Sequence, residues 1–254
     1  MAERIKPLGH KAYGHIPHLP GSRMGLGDHK ASEGHNRFCQ GPITKNDFIN
    51  QIIVEVKTDG SCISIARKKG HIISLSRAGY LATTSPFEQH HLFAKWVDKN
   101  PSRFEFLKEG ERLIGEWLVQ AHGTLYDLPH EPFIAFDIMV EHSRTLVEER
   151  NERLKPYDFV LPYQLTNNGP QKIEDILPLL EIPHHGELDK VEGAIWRVER
   201  VLRNKKNKKE VIICKFVRPD KVDGKYIWGQ DKQKIEETWN TWNGKSCYQL
   251  LKNY

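Results

Sequence analysis

The stretch Val56-Lys57-Thr58-Asp59-Gly60 is the part of this sequence that decides its fold. It follows the apolar run Ile52-Ile53-Val54, which predicts a strand, and it ends in residues that are typical of a tight turn. Lys57 therefore stands where a buried strand meets a turn, and its amine would be partly desolvated there. Lysine, aspartate and glycine are all common in turns, so the pattern gains meaning only from the segments that follow it.

Those segments each bring a charged or aromatic residue to a strand-like run, in a fixed order along the chain. They are Ser76-Arg77, Gly115-Glu116-Trp117, Phe133-Ile134-Ala135-Phe136-Asp137-Ile138, Val191-Glu192-Gly193-Ala194-Ile195-Trp196-Arg197 and Ile213-Cys214-Lys215-Phe216-Val217-Arg218. The ordered set resembles the nucleotidyltransferase motifs of ATP-dependent RNA ligases, whose superfamily also includes DNA ligases and mRNA capping enzymes. The resemblance covers residues 9 to 227. The stretch from Ile16 to Ser22 also resembles a segment found before the lysine motif in a group of bacterial and phage RNA ligases.

The composition is that of an ordinary soluble globular protein: of 254 residues, 38% are hydrophobic and 28% are charged. No apolar run approaches the roughly 18 residues of a membrane span, and the N-terminus lacks the apolar core of a secretory signal. The four cysteines are far apart and form no C-x-x-C pair, which argues against zinc and disulfides and suits a reducing cytosol. We therefore expect a cytoplasmic protein with no membrane partner. The net charge of +5 permits a polyanionic partner without demanding one.

The resemblance implies an α+β fold, a nucleotidyltransferase (ligase adenylation) domain of mainly antiparallel sheets flanked by helices, with the nucleotide between them. We expect residues 1–254 to form this single domain, with a loop-rich N-terminal region over residues 1–50 and a short C-terminal tail over residues 219–254. Such a tail is too short for the OB barrel domain that many DNA ligases and capping enzymes attach after their last motif.

Local patterns predict where the helices and strands lie. Strands are predicted over residues 52–56, 62–67, 71–76, 111–118 and 132–140, and helices from a capping box at Ser85-Pro86-Phe87-Glu88 to residue 100, over 146–154 and over 172–180. Pro178 should end or kink the last of these helices. A hairpin is predicted from strands 194–202 and 211–217, joined by the basic turn 203–209.

The resemblance implies that Lys57 is the catalytic nucleophile, which attacks the α-phosphate of ATP, forms a lysine-AMP intermediate and expels pyrophosphate. A lysine amine is a poor nucleophile at its free pKa, so it must lose its proton through nearby positive charge or desolvation. Asp59 is implied to orient the reacting phosphate or to help in the later steps. Gly60 is implied to allow close approach of the backbone to the nucleotide.

Further residues are implied to bind the nucleotide, beginning with Val56 beside the nucleophile. Arg77 matches the arginine that contacts the ribose or the incoming phosphate, and Glu116 matches the acceptor for the ribose hydroxyls. Phe136 matches the aromatic residue that stacks on the adenine, which a flat ring does well. Without the resemblance, the phenylalanine would be a core residue and the carboxylate a paired strand residue.

The last two motifs supply a metal ligand and a cation. Glu192 is implied to bind Mg²⁺, or Mn²⁺ in its place, because magnesium is held by one or two carboxylates together with phosphate oxygens and water. Lys215 is implied to neutralise the α-phosphate during transfer. Many members of the family carry K-x-K here, but the first position is Ile213, so what orients the triphosphate stays open. Arg197 is a possible phosphate contact, and Asp137 a partner for metal or basic groups.

Two other features are less specific. The N-terminal histidines at positions 10, 15, 18, 29 and 35 fit no standard metal-site spacing, so we expect them to be structural or solvent-facing. The basic turn 203–209 either grips nucleic-acid phosphates or is a solvated hairpin tip.

The expected function is that of an ATP-dependent RNA ligase, which joins 5′-phosphate and 3′-hydroxyl ends and needs ATP, a divalent metal and RNA. The alternatives are a DNA ligase, a capping-type guanylyltransferase, an inactive nucleic-acid-binding module, and an adenylyl carrier that acts on a small molecule. The sequence leaves open whether the RNA is a nicked duplex, an RNA/DNA hybrid, a single-stranded end or a broken tRNA. It also leaves open the oligomeric state.

Overall fold

The computed structural model describes residues 6–202, 208–227 and 238–254, and its strands form two large antiparallel sheets. The strands are β1 Ile49–Lys57, β2 Ser61–Lys68, β3 His71–Ser76, β4 Glu111–Trp117, β5 Asp127–Leu128, β6 Phe133–Val140, β7 Ser143–Arg144, β8 Gln164–Thr166, β9 Gly193–Leu202, β10 Lys208–Val217, β11 Thr241–Trp242 and β12 Lys245–Ser246. The α-helices are α1 Glu33–Gln40, α2 Glu88–Lys99, α3 Val147–Leu154, α4 Ile173–Ile176 and α5 Cys247–Lys252. Within these residues, one sheet has the order β10-β9-β1-β8, the second β3-β2-β4-β6-β7, and a small third sheet β12-β11-β5.

The sheet that contains β1 follows from the two-residue period of a strand, which sends alternate side chains to opposite faces. On β1, Ile52, Val54 and Val56 pack into a core shared with α1 and α4. Glu55 and Lys57 face the other way, into a cavity between the two large sheets. The apolar residues Ile52, Val54 and Val56 and the lysine Lys57 therefore occupy opposite faces of one strand.

The second large sheet has its own core, on the face that packs against α2. Trp96 of the helix lies among aromatic rings of this sheet, with its ring centroid 5.5 Å from that of Trp117 and 5.2 Å from that of Phe133. Burying each such side chain contributes about 1.5–3 kcal/mol. Each sheet thus has a packed outer face, and the two inner faces are left to form the walls of a cavity.

Most predicted elements are confirmed, but the helix predicted from Ser85 begins at Glu88. The Ser85 hydroxyl accepts a hydrogen bond from Phe87 N at 3.2 Å and lies 2.6 Å from His90 Nδ1. The serine therefore closes a turn before the helix, and the expected capping box is wrong.

Two further stretches differ from the prediction. The loop-rich N-terminal region contains α1, whose N-cap Ser32 accepts a hydrogen bond from His35 N. The helix predicted over residues 172–180 is only the short α4, continued by a 3₁₀ helix over Leu177–Glu181, because Pro178 lacks an N–H for α-helical bonding. The hairpin of β9 and β10 is confirmed. Residues 203–207 of its basic turn lie outside the described residues.

The described part of the C-terminal segment packs against the sheet that carries α2. β11 pairs in parallel with β5, and Leu251 of α5 is fully buried in the same core as Trp96. The Asn240 side chain accepts a hydrogen bond from Tyr126 N and donates one to Leu118 O, both at 2.8 Å. None of the helices in the described parts of the chain is long and apolar enough to cross a membrane.

Buried ion pairs connect the two halves of the fold. Asp137 on β6 contacts Arg197 on β9 at 2.6 Å, and both side chains are at most 2% exposed. Glu55 on β1 contacts Arg150 on α3 at 2.7 Å, and Arg150 also donates to the Phe136 carbonyl at 2.8 Å. Removing one member of such a pair leaves a buried charge without compensation.

Replacing Arg150 with methionine should therefore destabilise the fold. Methionine keeps much of the apolar stem but leaves the Glu55 carboxylate alone in the interior. We expect the free energy of unfolding, measured by urea denaturation, to fall by about 3–5 kcal/mol. The control is Lys190→Met, which breaks the exposed Lys190–Asp220 pair of 2.7 Å and should cost under about 1 kcal/mol. Equal losses in the two variants would contradict the prediction.

Candidate active site

A cavity of about 600 Å³ lies between the two large sheets and collects the residues predicted to bind a nucleotide. Its walls include Val56, Lys57, Arg77, Glu116, Phe136 and Lys215. These residues come from β1, β4, β6, β10 and the turn after β3. Pockets for small ligands have volumes of about 300–1,000 Å³, so the cavity is large enough for a nucleotide.

Lys57, which lines this cavity, forms an ion pair with Glu192. Lys57 ends β1 and is paired in register with Gly193, so the antiparallel ladder brings the preceding residue, Glu192, beside the lysine. Lys57 Nζ donates to Glu192 Oε2 at 2.5 Å. A Cβ at Gly193 would collide with the Phe216 carbonyl of β10, so only glycine allows this close packing of strands. The Lys57 side chain is 22% exposed, which leaves its amine accessible from the cavity.

The charges around Lys57 are the reverse of those expected for an activated amine. Burial lowers the pKa of Lys57, but the carboxylates of Glu192, Glu116 and Asp59 outweigh burial and hold the pKa above its usual value. The amine is therefore a stable ammonium in the free protein. Of the two routes expected to release its proton, desolvation alone does not lower the pKa of Lys57 below its usual value here.

Burial raises the pKa of the two glutamates that face Lys57. The pKa of Glu116 and that of Glu192 are each raised to about 7, since desolvation exceeds the opposing effect of Lys57. Asp59 raises both further. These carboxylates are poorly compensated by the protein, so a bound cation or hydrogen-bond donor would favour their charged forms.

Gly60 has a packing role that the sequence did not suggest. A Cβ at this position would lie 2.6 Å from Trp117 O and 2.7 Å from Leu118 Cδ2. Glycine therefore lets the turn after Lys57 pack against the end of β4. That contact places the Gly60 N–H 3.1 Å from Glu116 Oε1, to which it donates.

Lys221 belongs to this site but was missed from the sequence. Its ammonium lies 3.0 Å from Asp59 Oδ2 and donates to the Thr124 hydroxyl. Asp59 Oδ2 also accepts from Gly123 N at 2.7 Å. Burial raises the pKa of Asp59, but Lys221 and Lys57 bring the pKa below its usual value, so the carboxylate is ionised. No local pattern marks Lys221, which reaches Asp59 only when the chain folds.

Lys215 and Arg77 line the cavity on the side of the N-terminal segment. Lys215 Nζ lies 3.6 Å from Asp28 Oδ1. Burial, and then the charge of Lys57, lower the pKa of Lys215. Arg77 Nη2 donates to the Gly14 carbonyl at 3.0 Å. Asp28 and Gly14 belong to a stretch for which the sequence predicted no role in the site.

The N-terminal segment runs along β10 beside Lys215. Lys215 N donates to Pro17 O at 2.9 Å, and Leu19 N donates to Lys215 O at 2.8 Å. Arg23 N donates to Val217 O at 2.9 Å. This segment therefore extends the sheet at the point where Lys215 enters the cavity.

A β-bulge aims Phe136 into the cavity. Across β4 and β6, Ile114 pairs with Asp137 and Gly115 pairs with Ala135, so Phe136 is the unpaired extra residue. A bulge re-aims side chains, and here both Phe136 and its neighbour Asp137 line the cavity.

A network of polar groups supports this wall of the cavity. The Tyr13 ring lies edge-on to Phe136 with centroids 5.3 Å apart, and its hydroxyl donates to Asp137 at 2.8 Å. The sequence suggested Arg197 as a possible phosphate contact. In this structure Arg197 donates hydrogen bonds to Asp137 at 2.6 Å and to Glu199 at 3.1 Å. The Arg197 side chain is 2% exposed and also lines the cavity, so it supports the wall at this point.

The described residues show how some of the histidines are used. His18 is buried, with Nδ1 2.6 Å from Ser22 Oγ and Nε2 3.0 Å from Asp28 Oδ2. Among the residues described, no group of three or more His, Cys, Asp and Glu side chains is arranged to hold a metal ion.

Comparison with known proteins places this geometry in a family. The sequence matches the RNA ligase family over residues 50–217, a span that runs from β1 to β10. The chain belongs to the RNA ligase family. A comparison with curated protein sequences found no match.

Solved structures of RNA ligases are similar to this chain. A lysine-to-methionine variant of Naegleria gruberi RNA ligase, solved with AMP and Mn, is 18% identical with a TM-score of 0.50; the match covers 82% of this chain and 61% of that chain. An archaeal ATP-dependent RNA ligase is 17% identical with a TM-score of 0.42, over 68% of this chain and 44% of that chain. This member of the RNA ligase family thus spans about three fifths of the Naegleria chain. The predicted α+β nucleotidyltransferase fold is confirmed.

The raised pKa of Glu116 predicts a stability gain when its charge is removed. Glu116→Gln keeps an oxygen for the Gly60 N–H but removes a carboxylate whose pKa is about 7 when folded and 4.5 ordinarily. At pH 8 we expect the free energy of unfolding to rise by about 1 kcal/mol or more, because the parent must hold a disfavoured charge. The gain in the free energy of unfolding should be full above pH 7 and decline as the pH falls. It should vanish below pH 4.5, where Glu116 is protonated in both the folded and the unfolded parent protein.

Urea unfolding at several pH values measures this gain. The exposed Glu105→Gln variant is the control and should show none. A gain for Glu116→Gln that is equal at pH 4 and pH 8 would contradict the electrostatic cause.

Proposed function

We propose that this member of the RNA ligase family is an ATP-dependent RNA ligase that acts through a lysine-AMP intermediate. The observation that carries the proposal is the accessible Lys57 amine, held by Glu192 inside a cavity of nucleotide size. The Naegleria gruberi protein of the same fold was solved with AMP and Mn, which supports nucleotide and divalent-cation chemistry here.

The cavity walls suggest how ATP would bind. Phe136, projected by the bulge, would stack on the adenine. Glu116, with its pKa raised to about 7, would accept hydrogen bonds from the ribose hydroxyls. Lys215, 15% exposed, would meet the α-phosphate next to Lys57. Base, sugar and phosphate would then follow one another from β6 to β10.

The proposed reaction has three transfers. In the first, the Lys57 Nζ lone pair forms a bond to the α-phosphorus, and the bond to the bridging oxygen breaks as pyrophosphate leaves. In the second, a 5′-phosphate oxygen of RNA attacks the same phosphorus, and the amine leaves and regains its proton. In the third, a 3′-hydroxyl oxygen attacks the 5′-phosphorus, loses its proton, and AMP leaves with the electrons of the broken bond.

Lys57 must be deprotonated before the first transfer. Glu192 is the largest charge that raises the pKa of Lys57, and its Oε2 lies 2.5 Å from Nζ. Neutralising Glu192 would lower the pKa of the amine and release it from the ion pair. Asp59 stays ionised because Lys221 pairs with it, so it would remain available to orient groups in the later transfers.

The donor set fits a divalent cation. Glu192 already holds one cation, the Lys57 ammonium, and burial disfavours its own charge. Mg²⁺ and Mn²⁺ would be held by Glu192 with phosphate oxygens and water, and would supply positive charge to the α-phosphate.

The first functional prediction is covalent AMP on Lys57. Intact-protein mass after incubation with ATP and magnesium should show one added AMP, and none with GTP. The matched variant is Lys57→Arg, which keeps a cation for Glu192 but has no lysine amine. Lys95→Ala, on an exposed face of α2, is the control and should be labelled as the parent is. AMP on Lys57→Arg would show that the nucleophile is misassigned.

A second prediction concerns the adenine. Phe136→Leu keeps most of the apolar volume and removes the flat ring, so the KM for ATP in lysine-AMP formation should rise about threefold to tenfold. Phe106→Leu, the same change outside the cavity, is the control. An unchanged KM in a folded Phe136→Leu protein would make Phe136 a core residue.

A further inference from the structure

The N-terminal segment brings unbalanced positive charge to the rim of the cavity. Lys11, His15 and Arg77 are all exposed, and Arg77 also lines the cavity. The bond from Arg77 Nη2 to the Gly14 carbonyl, of 3.0 Å, fixes the loop that carries His15 next to the guanidinium. Lys11 Nζ lies 3.5 Å from His15 Nε2. Lys11, His15 and Arg77 are called the loop cation cluster below.

Carboxylates do not balance this cluster. Among the described residues, neither Lys11 nor Arg77 forms an ion pair with a carboxylate; their contacts are the ring of His15 and the carbonyl of Gly14. The nearby acid, Asp28, is bonded to His18 at 3.0 Å and lies 3.6 Å from Lys215. Cations left unpaired at the rim of a binding cavity form a site for a polyanion.

The pKa of His15 reflects the same charge density. Arg77 is the largest cause that lowers this pKa, and Lys11 acts in the same direction. Asp28 opposes them without restoring the usual value. Arg77 and Lys11 therefore favour the neutral form of His15, and a bound anion would favour the protonated form.

The loop cation cluster lies near the position at which this chain lacks the first lysine of the family's K-x-K motif. Ile213 occupies the position of the first lysine of K-x-K and is 7% exposed in the cavity wall. His15, Ile16, Pro17 and Ile213 together line a shallow cleft that adjoins the cavity. The loop cation cluster thus lies beside the place that the missing lysine would serve.

We propose that the loop cation cluster binds the pyrophosphoryl group of ATP, formed by the β- and γ-phosphates, and holds pyrophosphate as it leaves. This inference rests on the proposed function. In phosphoryl transfer the attacking and leaving atoms lie roughly in line, so the leaving group points away from Lys57. The side chains of Lys57 and Lys215 are 22% and 15% exposed. The loop cation cluster is more exposed than either lysine, as a site for a group that leaves towards solvent must be.

Pyrophosphate takes part only in the first transfer and its reversal. A site for it should therefore affect those reactions and leave the second and third transfers unchanged. A site for the 5′-phosphate of RNA would show the opposite pattern. Lys11 and His15 are the residues to change, because Arg77 is also expected to contact the nucleotide.

The experiment compares the full-length parent with Lys11→Ala/His15→Gln. Adenylylated protein is mixed with inorganic pyrophosphate, and the release of labelled AMP as ATP is followed. The pyrophosphate concentration for half-maximal release should rise about tenfold or more, since charge-assisted hydrogen bonds are lost. Transfer of AMP to 5′-phosphate RNA, and sealing of RNA that is already adenylylated, should be unchanged.

The matched control is Lys69→Asn/His71→Gln. It removes one lysine and one histidine at the opposite end of β3 from Arg77, and asparagine tolerates the φ of 51° at position 69. This variant should respond to pyrophosphate as the parent does. The single variant His15→Gln, at an exposed position, should give a smaller shift in the same direction and covers the case in which the double variant does not fold.

Three results would overturn the inference. The Lys11→Ala/His15→Gln variant could respond to pyrophosphate as the parent does. The Lys69→Asn/His71→Gln control could show an equal rise in the pyrophosphate concentration for half-maximal release. The variant could instead lose AMP transfer to RNA with its pyrophosphate response intact, which would assign the cluster to the 5′-phosphate of RNA.

A binding measurement separates this inference from the proposed function. If the parent forms no lysine-AMP, the proposed function fails, and calorimetric titration with inorganic pyrophosphate then decides the inference alone. Weaker binding by Lys11→Ala/His15→Gln than by the parent supports the site. Equal binding, or no binding by the parent, overturns it.

Discussion

The ion pair between Asp137 and Arg197 is the contact on which the shape of the cavity depends. It is a direct polar link of 2.6 Å between β6 and β9, which are strands of different sheets. Asp137 also accepts hydrogen bonds from Tyr13 at 2.8 Å and Arg144 at 3.0 Å. A buried ion pair adds little net stability because desolvation offsets the attraction. Here it fixes geometry: Phe136 precedes Asp137, so the pair also fixes the aromatic wall.

The buried charges near Lys57 lower the stability of the fold. Glu116 and Glu192 are held where burial raises the pKa of each to about 7, and the lysine that faces them cannot satisfy both. The charge of Asp59 is compensated, because Lys221 Nζ lies 3.0 Å from Asp59 Oδ2. The site thus contains one balanced ion pair, Asp59 with Lys221. It also contains a group with excess negative charge, formed by Lys57, Glu116 and Glu192. A bound cation would neutralise this excess negative charge and favour the ionised forms of the two glutamates.

The parts of this structure that the sequence predicted are those with short-range signals. The alternation along β1 and the position of Lys57 beside a turn could be predicted from the chemistry of neighbouring residues alone. The ordered motifs then predicted one cavity, and Lys57, Glu116, Phe136 and Lys215 do meet there. The predicted start of α2 was wrong because the Ser85 hydroxyl accepts from Phe87 N and lies beside the His90 side chain, a choice that local propensity does not reveal.

The unpredicted features all depend on contacts between distant segments. Lys221 reaches Asp59, and Asp28 reaches Lys215, only after the chain has folded. The bulge at Phe136 arises from a register shift against β4, which no strand pattern shows. The effect of Glu192 on the pKa of Lys57 likewise arises from register, because Lys57 pairs with Gly193. Charge balance in the site is therefore a property of the assembled sheets.

The N-terminal segment that lies along β10 also affects how the protein behaves towards other copies of itself. β10 is the last strand of its sheet, and an open strand edge is a template for pairing with another chain. The hydrogen bonds to Pro17, Leu19 and Arg23 occupy this edge at its apolar end. The other end carries charged residues such as Glu210, which disfavour such pairing. The same segment that borders the cavity thus covers part of an edge with which another chain could otherwise pair.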